Sequence, residues 1–281
     1  LTGPSIRLDP RIHAVRRDIA DICLADRVFA PHYAAPQLCH CAAPSAILHE
    51  KPDPGARAAS QLLRGEAFAV IDISGGWAWG YGLHDRYVGY VREEALGLVD
   101  EPTHVVRAPQ ALLFAAPDIK SPVVGRWPIG ASFSGQAQDG FIGCVEGFLH
   151  ERHVRPIAET ERDPVAVAER LIGAPYLWGG RGDGGIDCSG LVQLALGLCG
   201  IAAPRDTDLQ RAALGEEIAT DEALRRGDLI FMPGHVGMMV DADRLIHANA
   251  FWMAVKVEPL ADVVARLGTG DGITSRRRIV S

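Results

Sequence analysis

The chain of 281 residues lacks any apolar run of the roughly 18 residues that a membrane-spanning helix needs. The longest candidate, Gly190 to Pro204, is interrupted by Gln193 and ends in proline. A basic excess is also missing: 28 Lys and Arg face 35 Asp and Glu, a net charge of −7. That balance excludes the basic face of a general nucleic-acid binder. The six cysteines (Cys23, Cys39, Cys41, Cys144, Cys188 and Cys199) show no framework spacing, which excludes a disulfide scaffold and points to a reducing compartment. Leu1-Thr2-Gly3-Pro4 carries no basic region followed by an apolar core, so no signal peptide and a cytoplasmic location are expected. What is present, 48% hydrophobic and 22% charged residues, excludes a disordered or collagen-like protein. Thirty-one glycines and 18 prolines imply many turns and substantial β structure. The length suits one to three domains.

Residues 1–35 are expected to form a helical segment, with Ile12, Val15, Ile19 and Ile22 at helical spacing over Pro10 to Leu24. An internal repeat follows. Ala43-Pro44-Ser45-Ala46-Ile47-Leu48 returns 65 residues later as Ala108-Pro109-Gln110-Ala111-Leu112-Leu113. In the same register Pro52-Asp53 matches Pro117-Asp118, and Gly65, Phe68 and Gly75 match Gly130, Phe133 and Gly140. Each copy reads as short strands between Gly, Pro and Asp turns, hence a small barrel: 36–100 and 101–157. Trp77-Ala78-Trp79 and Tyr87-Val88-Gly89-Tyr90-Val91 resemble the ending of bacterial SH3-like domains. The second copy lacks the tryptophans there. From 160 to 281 an α+β domain is expected. Asp163-Pro164 opens one helix, a glycine-rich loop (179–185) leads to a second at about Cys188 to Leu198, and an antiparallel sheet follows.

The chemistry concentrates at Asp187-Cys188-Ser189-Gly190, where a thiol sits at a helix N-terminus. Unpaired N–H groups and the helix dipole there favour thiolate. A cysteine nucleophile needs a base and the base an orienter. His235 and His247 lie on neighbouring predicted strands, so that His247 can fix the tautomer of His235.

These residues belong to a longer series. Tyr176-Leu177-Trp178-Gly179-Gly180, Asp187-Cys188-Ser189-Gly190-Leu191-Val192, Pro204-Arg205, Gly227-Asp228-Leu229-Ile230-Phe231, His235-Val236-Gly237-Met238 and Ile246-His247-Ala248 resemble the NlpC family of papain-like cysteine peptidases, which cut peptidoglycan peptides. With the repeat in front, the chain resembles the subgroup of γ-D-glutamyl-L-diamino-acid endopeptidases. The resemblance implies an α+β, papain-like catalytic domain behind two SH3-like barrels. It implies Cys188 as nucleophile on the γ-D-Glu–diamino-acid bond, His235 as base and His247 as orienter. It implies an oxyanion hole made by Cys188 N–H and the Tyr176 hydroxyl. Trp178, Asp187, Ser189 and Arg205 would line the substrate groove, with Arg205 as a clamp for a carboxylate. Glu66 and Tyr87 would hold the free α-amine of an N-terminal L-Ala, the choice between Tyr87 and Tyr90 staying open. The implied partner is a murein peptide, with no nucleic acid, membrane, metal or cofactor. The diamino acid and the oligomeric state stay open.

Three other readings compete. SH3-like domains could be adhesive modules of a wall-bound hydrolase. Cys188, His235 and His247, or the cluster His32, Cys39, His40, Cys41 and His49, could bind zinc, although both spacings are irregular. An amidase or acyltransferase on the same scaffold is the third, and cysteine preceding histidine argues against its circularly permuted forms.

Overall fold

The computed structural model describes residues 8–267 and 272–279. The expectation drawn from Leu1 to Pro4 and the last residue of an expected strand, Val280, lie outside them. No helix among the described residues is long and apolar enough to cross a membrane.

The leader over its described residues, 8–35, is not a helix. Asp9 accepts from Arg11 N–H at 2.9 Å, Val15 bridges back to Ala20, and strand Ile19–Asp21 pairs in parallel with His32–Ala34. A single 3-10 turn, Ile22–Leu24, follows. The apolar residues that suggested one helical face go to different neighbours. Ile12 packs on the core of the first repeat, while Ala14 and Ile19 join Trp79 and Tyr81 on its outer side. Arg16 lies 4.5 Å over the Trp79 ring and pairs with Asp72 at 2.7 Å. Contacts with an aromatic sheet therefore override a weak helical propensity.

The first hairpin of the repeat recurs in register. Ser45–His49 and Ala58–Leu63 recur, 65 residues on, as Gln110–Phe114 and Val123–Pro128. Both hairpins carry a register shift at the same place, Leu48/His49 and Leu113/Phe114. Gly65 N–H donates to Cys41 O as Gly130 N–H does to Val106 O, with φ of 80° and 84°. Core positions match as well: Cys41, Ala46, Leu48, Leu62 and Phe68 in one copy, Val106, Ala111, Leu113, Trp127 and Phe133 in the other. The first copy is one seven-stranded curled sheet. The second divides into five-stranded and three-stranded sheets around one core.

In the last domain a six-stranded sheet carries Leu229–Met232, His235–Met239, Arg244–Asn249 and Ala254–Pro259 as consecutive antiparallel neighbours. Helix α1 is Pro164–Glu169, with Asp163 accepting from Val165 N–H at 2.9 Å as its cap. Helix α2, Cys188–Leu198, is apolar nearly all round and buried between the sheet and the β units, as such a helix must be. Helix α3, Thr207–Ala213, packs beside it, and α4, Leu260–Leu267, covers the opposite face of the sheet.

The glycine-rich loop docks on the first repeat. Gln61 Oε1 accepts from Arg181 N–H at 3.0 Å, and Gln61 Nε2 donates to Asp183 O at 3.1 Å. Ser45 Oγ donates to Asp183 Oδ2 at 2.6 Å. Gly179, at φ 78°, passes so close that an added Cβ would stand 2.9 Å from Ala58 Cβ. Gly179→Ala is therefore expected to lower stability by about 1–3 kcal/mol, measured by urea unfolding. A change within experimental error would show that loop and repeat are not tightly docked.

Candidate active site

The position of the nucleophile begins with its cap. Asp187 Oδ1 accepts from Gly190 N–H at 2.7 Å, and Oδ2 from Gly179 N–H at 2.8 Å. Arg205, only 1% exposed, meets the same carboxylate through Nη1 at 2.9 Å and Nη2 at 2.6 Å. Its Nε donates to Ser60 Oγ of the first repeat at 3.0 Å, and Nη1 also to Ser189 Oγ at 2.9 Å. Arg205 is thus no substrate clamp: its donors are consumed inside the protein. Asp187 and Ser189 border the cavity described below, but their polar atoms serve this same network.

Cys188 is the first residue of α2 and lies buried. Its sulfur lies 3.9 Å from Thr207 Oγ1. The expectation of a thiolate fails. Burial raises the thiol pKa, and the Asp187 carboxylate adds to the rise. The capping carboxylate has already taken up the favourable end of the helix. At Cys188 the neutral thiol is therefore favoured over the thiolate.

The two histidines join as expected. His235 Nε2 lies 2.8 Å from His247 Nδ1, and His247 Nε2 lies 2.9 Å from Glu258 Oε1. Glu258 is held ionised by Arg266, which donates at 2.7 and 2.9 Å, and by Trp252 Nε1–H at 2.7 Å. An ionised carboxylate only accepts, so His247 Nε2 carries the proton and its Nδ1 accepts from His235 Nε2–H. Asn249 Nδ2 also comes within 3.0 Å of His247 Nε2, but the carboxylate decides the tautomer. His235 Nδ1 is left with a free lone pair. Burial pushes the His235 pKa down to about 4, and burial lowers that of His247 too. The relay is neutral at rest and ready to receive a proton.

Cys188 opens on a cavity of about 580 Å3. Tyr176 lines it, its phenol pushed up to about 12, chiefly by burial, so it remains a hydroxyl donor. Cys188 N–H makes no hydrogen bond among the described residues, which leaves it free beside the thiol. Trp178 forms a half-exposed rim under the Arg57 guanidinium, 4.4 Å from the ring. Tyr87 also faces this cavity, donating to Asp206 Oδ2 at 2.9 Å, whereas Tyr90 does not line it. Glu66 lies elsewhere. Its Oε2 accepts from Leu63 N–H at 2.9 Å and Arg181 Nη1 at 2.6 Å, because the tight turn at Gly65 folds it back onto its own hairpin.

Sequence reading missed Glu258, Asp206 and Arg11. Glu258 lies two residues beyond Lys256, the strand partner of His247, and so on the same face, within diagonal reach. Asp206 directly follows the Pro204-Arg205 pair. Arg11 was hidden in the supposed helix. It donates to Asp206 at 2.7 Å and to Asp208 at 2.7 and 2.9 Å. Among the described residues no group of three or more His, Cys, Asp and Glu is placed to hold a metal ion.

A capped, buried thiol at the start of a helix, beside an imidazole relay on an antiparallel sheet, defines the class of papain-like cysteine–histidine sites. Residues 173–265 match the NlpC/P60 family model, so the chain carries an NlpC/P60 domain, and residues 48–96 match the model of the bacterial dipeptidyl-peptidase Sh3 domain. Dipeptidyl-peptidase 6 of Lysinibacillus sphaericus is 34% identical over 122 residues, 41% of this chain and 45% of that protein. The gamma-D-glutamyl-L-lysine dipeptidyl-peptidase of Bacillus cereus is 25% identical over 237 residues, 72% of this chain and 70% of that protein. This chain therefore spans less than half the length of the Lysinibacillus relative. The crystal structure of an NlpC/P60 family protein from Bacillus cereus shares the fold, with a TM-score of 0.73 at 20% identity over 87% of this chain and 100% of that one.

Glu258 touches no substrate and acts through His247, as a positioning residue. Glu258→Ala is expected to lower kcat about 10- to 100-fold with KM little changed. Equal loss in both parameters would assign it a general structural role instead. The neutral thiol has its own signature. Alkylation of Cys188 by iodoacetamide should stay slow at neutral pH and accelerate only above the ordinary thiol range, since rate follows thiolate fraction. A fast plateau at neutral pH would mean a preformed thiolate.

Proposed function

We propose that the chain is a cysteine peptidase cleaving the γ-D-Glu–diamino-acid bond of murein peptides that carry a free N-terminal L-Ala. The observation that carries this reading is what lines the cavity. Beside Cys188 and Tyr176 of the catalytic domain stand Glu50 and Tyr87 of the first repeat and Arg11 of the leader. A cleft walled in part by that repeat suits the end of a peptide rather than its middle.

Asp206 supplies the carboxylate that an ammonium needs, and Tyr87 and Arg11 hold it in place. It replaces Glu66 in that role. Arg57 and Arg211, also on the cavity wall, are the guanidiniums available for a substrate carboxylate in place of Arg205. Cys188 Sγ attacks the scissile carbonyl as its proton passes to His235 Nδ1. The oxyanion takes hydrogen bonds from Cys188 N–H and the Tyr176 hydroxyl. His235 then protonates the departing amine, leaving a thioester. Water, deprotonated by His235, releases the acid and the thiol.

The proposal reads residues 101–157 as a second SH3-like module and both modules as walls rather than wall anchors. It also assigns the activity to peptide recycling in the cytoplasm, a compartment that suits six free thiols.

The test is a panel of free tripeptide, N-acetylated tripeptide and intact sacculi, read by mass spectrometry. The free tripeptide should be cut, with Cys188→Ala inactive. Acetylation should lower kcat/KM on the order of 100-fold. Asp206→Asn should cause a similar loss for the free peptide and little further loss for the acetylated one. Efficient release from sacculi would instead favour the wall-bound reading.

A further inference from the structure

A second cavity, of about 460 Å3, shares no lining residue with the one at Cys188. It sits where all three units meet: Leu63 from the first repeat, Val105 from the second, Leu194 and Ile201 from the catalytic domain. Three buried polar atoms of its lining side chains have no hydrogen-bond partner: Arg155 Nε, Arg181 Nε and Gln193 Oε1. An orphan of this kind costs about 1–3 kcal/mol. None of the three can turn away to find relief. Arg155 is pinned by the carbonyls of Pro156, Glu159 and Leu198. Arg181 Nη1 is pinned by Gln61 O at 2.9 Å and Glu66 at 2.6 Å. Gln193 Nε2 donates to Asp85 and to Ala203 O, each at 3.0 Å.

The unmet groups describe a ligand. Arg155 Nε has only the Glu161 carboxylate at 3.7 Å, beyond hydrogen-bond reach; both guanidinium Nε–H groups therefore still call for an acceptor, and the amide oxygen of Gln193 calls for an N–H donor. Glu66, on the same wall, adds negative charge for that donor. The rest of the lining is mostly apolar. We propose that this junction binds a free apolar amino acid or dipeptide, carboxylate toward Arg155 and Arg181 and ammonium toward Gln193. Gln193 belongs to the helix that begins at Cys188, and its partner Asp85 accepts from Tyr87 N–H at 2.9 Å. The occupant therefore touches both elements that shape the catalytic cavity.

The site is tested on the Cys188→Ala chain by calorimetry with L-leucyl-L-leucine and L-leucine. The controls are 4-methylpentanoate, which lacks the amine, and isoamylamine, which lacks the carboxylate. At least one zwitterion should bind and raise Tm, with each control about tenfold weaker or worse. Gly197 is exposed on the cavity wall, and a Cβ there would meet nothing within 4 Å. Adding Gly197→Phe should abolish binding while the circular dichroism spectrum and Tm of the free protein hold, since glycine is itself a poor helix residue. Adding Asp206→Asn instead should leave binding intact. No heat from either zwitterion, unchanged affinity with Gly197→Phe, or loss with Asp206→Asn would each overturn the proposal.

Discussion

The Asp187–Arg205 pair is the joint on which the rest of the site turns. One carboxylate caps the nucleophile helix, fixes the start of the glycine-rich loop and receives a bidentate guanidinium. The same guanidinium reaches Ser60 in the first repeat. Burying two charges is costly, and the pair recovers that cost only because nearly every donor and acceptor is met. Its contribution is therefore positional. Thiol, loop and neighbouring β unit are referred to a single point, so the cavity has a defined shape before any peptide arrives.

That geometry decides the electrostatics of the reaction. A thiol at a helix start is expected to ionise, but here the cap is itself anionic and the sulfur is buried. Both effects oppose the dipole and win. His235, partly buried, is disfavoured as imidazolium. In the proposed reaction both partners would start neutral, and proton transfer would accompany attack. His247 and Glu258 determine which nitrogen of His235 is free, and Arg266 and Trp252 keep Glu258 charged and aimed. An imidazolium at His235, as the proposed reaction requires, would be stabilised through His247 by the Glu258 carboxylate.

Much of this was legible in the residues because it is local. The α2 start follows from an Asp cap before an apolar helix, and the strands bearing His235 and His247 from short apolar runs between turns. The 65-residue repeat was visible because turn residues, such as Pro52-Asp53 with Pro117-Asp118 and Gly65 with Gly130, recur in one register with inward apolar positions. What was not legible is what depends on folding distant segments together. Ile12 and Ile19 have helical spacing, yet the core and the aromatic outer side of the first repeat claim them separately. Glu66 looked available until the turn at Gly65 aimed it at Leu63 N–H and Arg181. Arg205 carries a charge that sequence alone assigns to substrate. Only the fold reveals Asp187 opposite it.

The repeat shows how one fold acquires two uses. Positions facing inward stay in register, Leu48 with Leu113 and Phe68 with Phe133, so both copies keep their cores. The docking positions do not. Ser45, Ser60 and Gln61 bind the catalytic domain, while their counterparts are Gln110, Gly125 and Arg126. Gln110 and Arg126 are exposed. The second copy meets the catalytic domain through Arg155 and Leu198 O instead. A core constrains only volume and polarity, whereas a polar interface constrains individual donors and acceptors. Divergence of the outward residues alone is therefore enough to turn one copy into a wall of the cleft and leave the other behind it.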